Sequence, residues 1–271
     1  MNNESAVAHR TTITELVRIW NQSSQDIETG FALVRDAQKR LDAFFDSSTI
    51  DMSLGGRDLR FDDAAGALAK LQRGVWRALI ARMNLRQILS LKRTAELDRQ
   101  LETGEGLPPL TQEAVETMVS ALLGQSGDLL AEKVREVYDW VRPGGYALKE
   151  YKTNQKSELV GLGFKIIKPY TVERCYSGTG FRINYHRTDE VRALDQVFHL
   201  LDGKTTDCKT WQGELGDAIT QQTKNGSNEF ETQYFKGRCF KNGNLHLEFK
   251  RADLVEQFNL IAGGKRLQRP L

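Results

Sequence analysis

The chain has 271 residues, 39% of them hydrophobic and 27% charged, with 38 Lys and Arg against 36 Asp and Glu. At about 150 residues per domain this length holds one large or two modest domains, and the balanced composition disfavours disordered, collagen-like and membrane classes. Three cysteines, Cys175, Cys208 and Cys239, are too few and too widely spaced for a disulfide framework, and no CxxC pair marks a zinc site, so a reducing, cytoplasmic setting is expected.

The opening MNNESAVAHRTTIT lacks the basic and apolar regions of a signal peptide, and no run of about 18 apolar residues occurs, so neither export nor membrane spanning is expected. Charge divides unevenly along the chain. Residues 1–150 carry 19 Lys and Arg against 22 Asp and Glu, a net of −3, and residues 151–271 carry 19 against 14, a net of +5. The C-terminal excess is too mild to imply nucleic acid by itself.

Leu16, Ile19, Trp20, Ile27, Phe31, Val34, Leu41, Phe44 and Phe45 recur mostly at three- and four-residue steps, which predicts one long helix with Thr14 as its cap. The glycines at 55 and 56 sit in a polar loop, and after Phe61 a second helical stretch places Leu68, Leu71, Val75, Leu79, Ile80, Met83 and Ile88 on one side. Packed antiparallel, these two would bury their apolar faces. The segment ETGEGLPPL breaks the helix, Thr111 is placed to cap the next one, and residues 111–124 and 128–141 read as two shorter helices. Arg142-Pro143-Gly144-Gly145 is the strongest breaker, and it sets the expected division into a helical domain, 1–145, and an α+β domain, 146–271.

Beyond it the periodicity changes. GFKIIKPYTVER and GFRINYH alternate as strands do, TDEVRALDQVFHLLDG returns to helical spacing, and 211–222 is a weaker helix. EFETQYFKGRCF and NLHLEFK flank Lys241-Asn242-Gly243-Asn244 and predict a β-hairpin, with a final helix over 251–262. The fold class is therefore α+β, with no internal repeat. A two-residue Asn242-Gly243 loop would put Phe240, Leu245, Leu247 and Phe249 on a buried face, and Cys239, His246, Glu248 and Lys250 on the other.

Glu248 and Lys250, two residues apart on one strand face, resemble the local arrangement in metal-dependent nucleases of the restriction-endonuclease superfamily. There the acid helps hold Mg²⁺ or Mn²⁺ and the lysine stabilises charge at the phosphate, with His246 available for proton transfer. The same pattern arises on any solvated strand face with cross-strand ion pairs. A nuclease also needs an upstream acid, and Asp195, Asp202 and Asp207 lie in a helix or loop. Cys239 and His246 do not complete a four-ligand zinc site, so no resident metal or cofactor is expected. Asp195 and His199, at i,i+4 on one helix face, could orient an imidazole as a general base, although surface electrostatics produces such pairs readily. Walker A, nucleophile-elbow and GxGxxG motifs are absent.

The second helical stretch carries Lys70, Arg73, Arg77, Arg82, Arg86, Lys92, Arg93 and Arg99 against Glu96 and Asp98, a net of +6. Arginines at such steps can line a phosphate-binding face or pair with acids of the first helix. Lys149, Lys152, Lys156, Lys165 and Lys168, interleaved with Tyr146, Tyr151 and Tyr170, extend the cationic reading past the domain boundary.

YKTNQKSELVGLGFKII, FRINYHRTDEVRALDQVFHLLDGK and CFKNGNLHLEFKRADLVEQFNLIAG together resemble the bacterial domain-of-unknown-function family 4942, over roughly residues 20–265. The resemblance implies a setting in prophages, plasmids and integrative elements, where some relatives are joined to an N6-adenine DNA methyltransferase domain. It carries over no catalytic residues, and this chain has no Asn/Asp-Pro-Pro-Phe/Tyr tetrapeptide. The expectation is a non-enzymatic, mobile-element accessory protein that binds nucleic acid, DNA before RNA, through Arg73, Arg77, Arg82, Arg86, Lys152 and Lys156. The alternatives are a divalent-metal nuclease using Glu248, Lys250 and His246, and a protein-binding module of a toxin, phage-defence or counter-defence system. Self-association through the long helices fits any of these.

Overall fold

A computed structural model describes residues 3–45, 64–155, 161–175, 179–204 and 212–263. The chain divides into two units, Met1–Met83 with Glu96–Gln125, and Asn84–Ala95 with Ser126–Leu271. The architecture is α+β, with long helices first and strands, hairpin and closing helix in the C-terminal half.

In the first unit α1 (Asn3–Phe45) runs unbroken through Gly30. Thr14 lies inside this helix instead of capping it, because no glycine or proline interrupts residues 3–29 and helix formation propagates upstream. Helix α2 (Ala64–Arg82) packs against α1 and buries Trp76 and Ile80. Helix α3 (Leu91–Thr103) begins in the second unit, which takes in Leu91–Ala95, and ends in the first, where it stops at Gly104, whose φ of 83° requires glycine or strain. The ETGEGLPPL segment is then pinned to α2, since the Pro108 carbonyl accepts the Trp76 indole N–H at 3.1 Å and the Gln72 amide at 3.0 Å. Helix α4 (Gln112–Gly124) has the expected cap, with Thr111 Oγ1 accepting the Ala114 N–H at 3.2 Å, and it packs against α1.

In the second unit α5 (Ser126–Val141) buries Leu129, Val134, Val137, Tyr138 and Val141, and all but the first belong to the core of the α+β half. The Arg142–Gly145 breaker therefore turns the chain without dividing the units. Helix α6 (Gly145–Glu150) leads to β1 (Lys165–Lys168), β2 (Val172–Arg174) and β3 (Phe181–Ile183). Helices α7 (Thr188–Leu201) and α8 (Gly213–Gln222) pack on each other. The strands β4 (Glu229–Glu231), β5 (Phe235–Cys239) and β6 (Leu245–Phe249) and helix α9 (Ala252–Gly263) complete the unit. The antiparallel order is β1-β6-β5-β4, and β2 pairs with β3 separately. The predicted strand EFETQYFKGRCF is interrupted at Thr232–Tyr234, where Thr232 Oγ1 accepts the Phe235 N–H at 3.1 Å and makes a tight turn.

Phe198 of α7 sits at the centre of the core, with the rings of Phe235, Phe249, Phe258 and Tyr234 centred 5.0 to 6.3 Å away. Such ring pairs add about 0.5–1.5 kcal/mol each beyond the area they bury. Two charged side chains of α5 find partners. The Lys133 ammonium donates to Gln87 O at 2.6 Å and Gln196 Oε1 at 2.7 Å, and Glu136 of α5 accepts the first amides of α3, where an anion is favoured by the helix dipole.

The hairpin differs from expectation in register. Cys239 pairs with Leu245 and Arg238 with His246, one residue out of step with a two-residue loop. Phe240 N–H donates to Asn244 O, and Gly243 N–H to Phe240 O, both at 2.9 Å, with Gly243 at φ 86°. That is a three-residue loop, a turn closed by a glycine bulge, in which Gly243 alone takes positive φ. Cys239 consequently lies on the buried face and His246 and Glu248 lie on the open one, so the thiol and imidazole are not neighbours on one face.

Candidate functional site

The open face of the four-stranded sheet forms a shallow trough of about 360 Å³, lined by Thr153, Lys165, Glu229, Lys236, Arg238, His246 and Glu248 among others. Its charges are matched across strands. Lys165 Nζ lies 2.9 Å from Glu248 Oε2, Arg238 pairs with Glu229, and Lys236 stands opposite Glu231 and Glu248. Lys250 lies just beyond β6 and is drawn to β4, with Nζ 2.7 Å from Glu231 and 2.8 Å from Thr232 O. Glu248 and Lys250 thus have separate partners. Partial burial, with Arg238 nearby, lowers the His246 pKa, and its ring packs 4.2 Å from that of Phe240.

The predicted phosphate contacts are spread over both units. Arg73, Arg77 and Arg82 belong to the first, Arg86 and Lys152 to the second, and Lys156 lies outside the described residues, as does Asp207. Arg77 Nη2 donates to Leu101 O at 3.1 Å, which satisfies a carbonyl in the last turn of α3, and the Arg73 guanidinium lies over Gly104. These two arginines hold a helix end that sequence spacing does not reveal.

The lysine and tyrosine segment after α5 is drawn together instead. Asn154, fully buried, pairs its carboxamide with both backbone groups of Ile167, accepting the N–H at 2.8 Å and donating to the carbonyl at 2.9 Å. It thereby fixes residues 151–155 beside β1. Tyr151 OH accepts from Asn244 Nδ2 at 2.8 Å. Tyr146 is 65% and Tyr170 68% exposed, and Tyr151 and Tyr170 each lie within electrostatic reach of the Tyr146 phenol. Glu150, one turn on in α6, raises the Tyr146 pKa most, followed by desolvation and then by those phenols. Tyr170 holds φ at 55°, an uncommon conformation for a residue with a side chain, next to Gly243 of the hairpin loop. Lys149, one helical turn from Tyr146, and Lys152 are exposed on the same segment. Thr153 of the same segment lines the trough.

Asp195 and His199 are joined by a third group. Asp195 is fully buried, and its Oδ2 accepts the Glu214 N–H at 2.8 Å, which caps the start of α8 from the neighbouring helix. Gly213, at φ 75°, admits this approach, since a Cβ there would stand 3.1 Å from that oxygen. Burial pushes the Asp195 carboxyl up to about 6, opposed by His199 and by the α8 N–H groups. Asp195 Oδ1 has no hydrogen-bond partner and lies 3.9 Å from His199 Nε2, which is 3.0 Å from Glu214 Oε2. Glu214 carries no local sequence signal, because its partners come from another helix. Close by, Tyr234 sets its ring edge-on to His199 and donates its hydroxyl to Asp202 at 2.9 Å.

A family described as a domain of unknown function (DUF4942) matches residues 68–268. The chain belongs to the DUF4942 family. No curated protein and no solved structure matches it. The DUF4942 match takes in α5 to α9, the whole sheet and the tyrosine surface, and it begins inside α2, downstream of α1. No helix among the described residues is long and apolar enough to cross a membrane.

Proposed function

We propose that this DUF4942 protein is a nucleic-acid-binding accessory protein of mobile elements that engages unpaired bases, DNA before RNA, on the surface formed by Tyr146, Tyr170, Lys149 and Lys152. The observation that supports this reading is the exposure of the Tyr146 and Tyr170 rings, within electrostatic reach of one another, with exposed lysines on the segment that carries Tyr146. A phenol ring left in water offers a stacking platform that is indifferent to base identity, and nearby ammonium groups follow the phosphates. Among the described residues no ion pair engages Lys149 or Lys152, so both charges remain available to an anionic chain. The matched charges of the adjoining trough add polar hydrogen-bonding groups and little net attraction.

The test is fluorescence anisotropy of a labelled single-stranded DNA oligonucleotide against the full chain at rising salt. Two phosphate contacts on a single strand, one each from Lys149 and Lys152, give a slope of log affinity against log salt of about −1.4. Duplex DNA binds more weakly in the same assay, because its bases cannot reach the rings. Absence of binding to any single strand at about 50 mM salt contradicts the reading.

A further inference from the structure

We infer that Asp195, His199 and Glu214 form a binding site for one divalent transition-metal ion, Zn²⁺ or Mn²⁺, at the junction of α7 and α8. One ligand atom from each residue lies within 4.8 Å of the others, and this is the sole such group of three among the described residues. The geometry goes beyond a chance cluster of acids because one member is buried and incomplete. Asp195 has 0% exposure, its Oδ2 is committed to the α8 backbone, and its Oδ1 faces His199 Nε2 from 3.9 Å with no hydrogen bond. A buried carboxylate oxygen left without a partner costs about 1–3 kcal/mol, more when charged.

A proton does not resolve this arrangement. His199 Nε2 has a single hydrogen at most, and Glu214 Oε2, at 3.0 Å, is placed to take it. A cation between the three groups satisfies all of them. Ligand bonds of about 2.0–2.2 Å set neighbouring donor atoms roughly 3–3.5 Å apart, so His199 and Glu214 already stand at ligand spacing, Asp195 Oδ1 closes on His199 by less than about 1 Å, and the exposed Glu214 side chain swings in from within 4.8 Å to complete the set. The i,i+4 step of Asp195 and His199 on α7 and the backbone bond from Asp195 to Glu214 fix the donors on two packed helices. One imidazole with two carboxylates suits Zn²⁺ or Mn²⁺ better than the all-oxygen preference of Ca²⁺. Glu214 is 48% exposed, so the remaining coordination positions face solvent and would be filled by water, as in zinc sites with three protein ligands. The site shares no residue with the tyrosine surface, and the inference does not depend on nucleic-acid binding.

The experiment uses the full chain, stripped with chelator, dialysed, and titrated with Zn²⁺ and separately with Mn²⁺ by calorimetry, with metal content measured after removal of excess ion. The expected result is one equivalent of ion, an upward shift in Tm with added metal, and at least a tenfold loss of affinity in Glu214→Gln. Glu214→Gln keeps an exposed side chain of the same shape and leaves the backbone bond to Asp195 intact, so folding is preserved. His199→Gln provides a second loss, read beside its circular dichroism. Co²⁺ gives an absorption band in the visible range that is absent in Glu214→Gln. Equal uptake by wild type and Glu214→Gln, or no uptake by wild type at about 100 µM of either ion, overturns the inference.

Discussion

The side-chain amide of Asn259 is paired with the backbone of Leu162, accepting its N–H at 2.8 Å and donating to its carbonyl at 2.9 Å, with both residues fully buried. This links α9 to the loop that enters β1, and Gly161 at φ 91° makes room, since a Cβ there would stand 2.9 Å from Asn259 Oδ1. Asn259→Ala leaves a donor and an acceptor unpaired in the core, and the expected loss is about 2–4 kcal/mol in urea unfolding. Asn259→Asp keeps the shape and loses the donor, so it is expected to destabilise as well.

Two glycines give opposite outcomes on substitution by alanine. At Gly237 a Cβ would stand 2.3 Å from His246 O and 2.6 Å from the Phe230 ring, and backbone cannot yield as a flexible side chain does. Gly237→Ala is expected to lower stability by about 2 kcal/mol or more. At Gly30, in the exposed middle of α1, nothing lies within 4 Å, so Gly30→Ala is expected to raise helix stability by about 0.5–1 kcal/mol. Thermal melts of the two variants beside wild type check both signs.

Acid sensitivity is assigned to Asp202. Its carboxylate meets Lys204 at 2.6 Å, the Tyr234 hydroxyl at 2.9 Å and Arg251 at 3.1 Å, which together hold its pKa down at about 2. A carboxylate in the unfolded chain titrates near 3.9, so the stabilisation is complete above about pH 4 and is lost as pH falls towards 2. Asp202→Asn is expected to be less stable at pH 7 and to lose less stability between pH 4 and 2. The test is urea unfolding across that range, where other titrating groups are common to both proteins.

Burial pushes the Cys239 thiol up to about 12, whereas Cys175 is half-buried. Native protein treated with iodoacetamide at pH 8 is expected to be alkylated at Cys175 while Cys239 is spared, and Cys239 reacts only after denaturation. Peptide mass spectrometry reads both sites.

Fold class, Thr111 as a cap and the order of strands and helices in the C-terminal half were legible in apolar spacing and turn residues, because those signals are local. Three features were hidden by their dependence on distant parts of the chain. Asn-Gly reads as a two-residue turn, but Gly243 closes a three-residue bulge loop, and that single step sends Cys239 into the core. The apolar stripe of α5 shows that the helix buries a face without showing against what, so the proline-glycine breaker after it looks like a domain boundary. Of the carboxylate and histidine cluster, the i,i+4 step exposes Asp195 and His199, but Glu214 joins only through the packing of α7 on α8. The tyrosine surface was half legible, since Tyr146, Tyr151 and Tyr170 stand out among lysines in the sequence while the bonds of Asn154 to Ile167 that tie their segment to β1 do not.

The central claim is most directly tested by removing the two exposed rings. Stacking contributes about 1–3 kcal/mol per base, so the double substitution Tyr146→Ala, Tyr170→Ala is expected to weaken single-stranded DNA binding by about 30-fold or more at constant salt. The double Tyr→Phe variant keeps the rings and retains affinity, and circular dichroism confirms that both variants fold. Unchanged binding by the alanine variant, under conditions where wild type binds, contradicts the proposed surface.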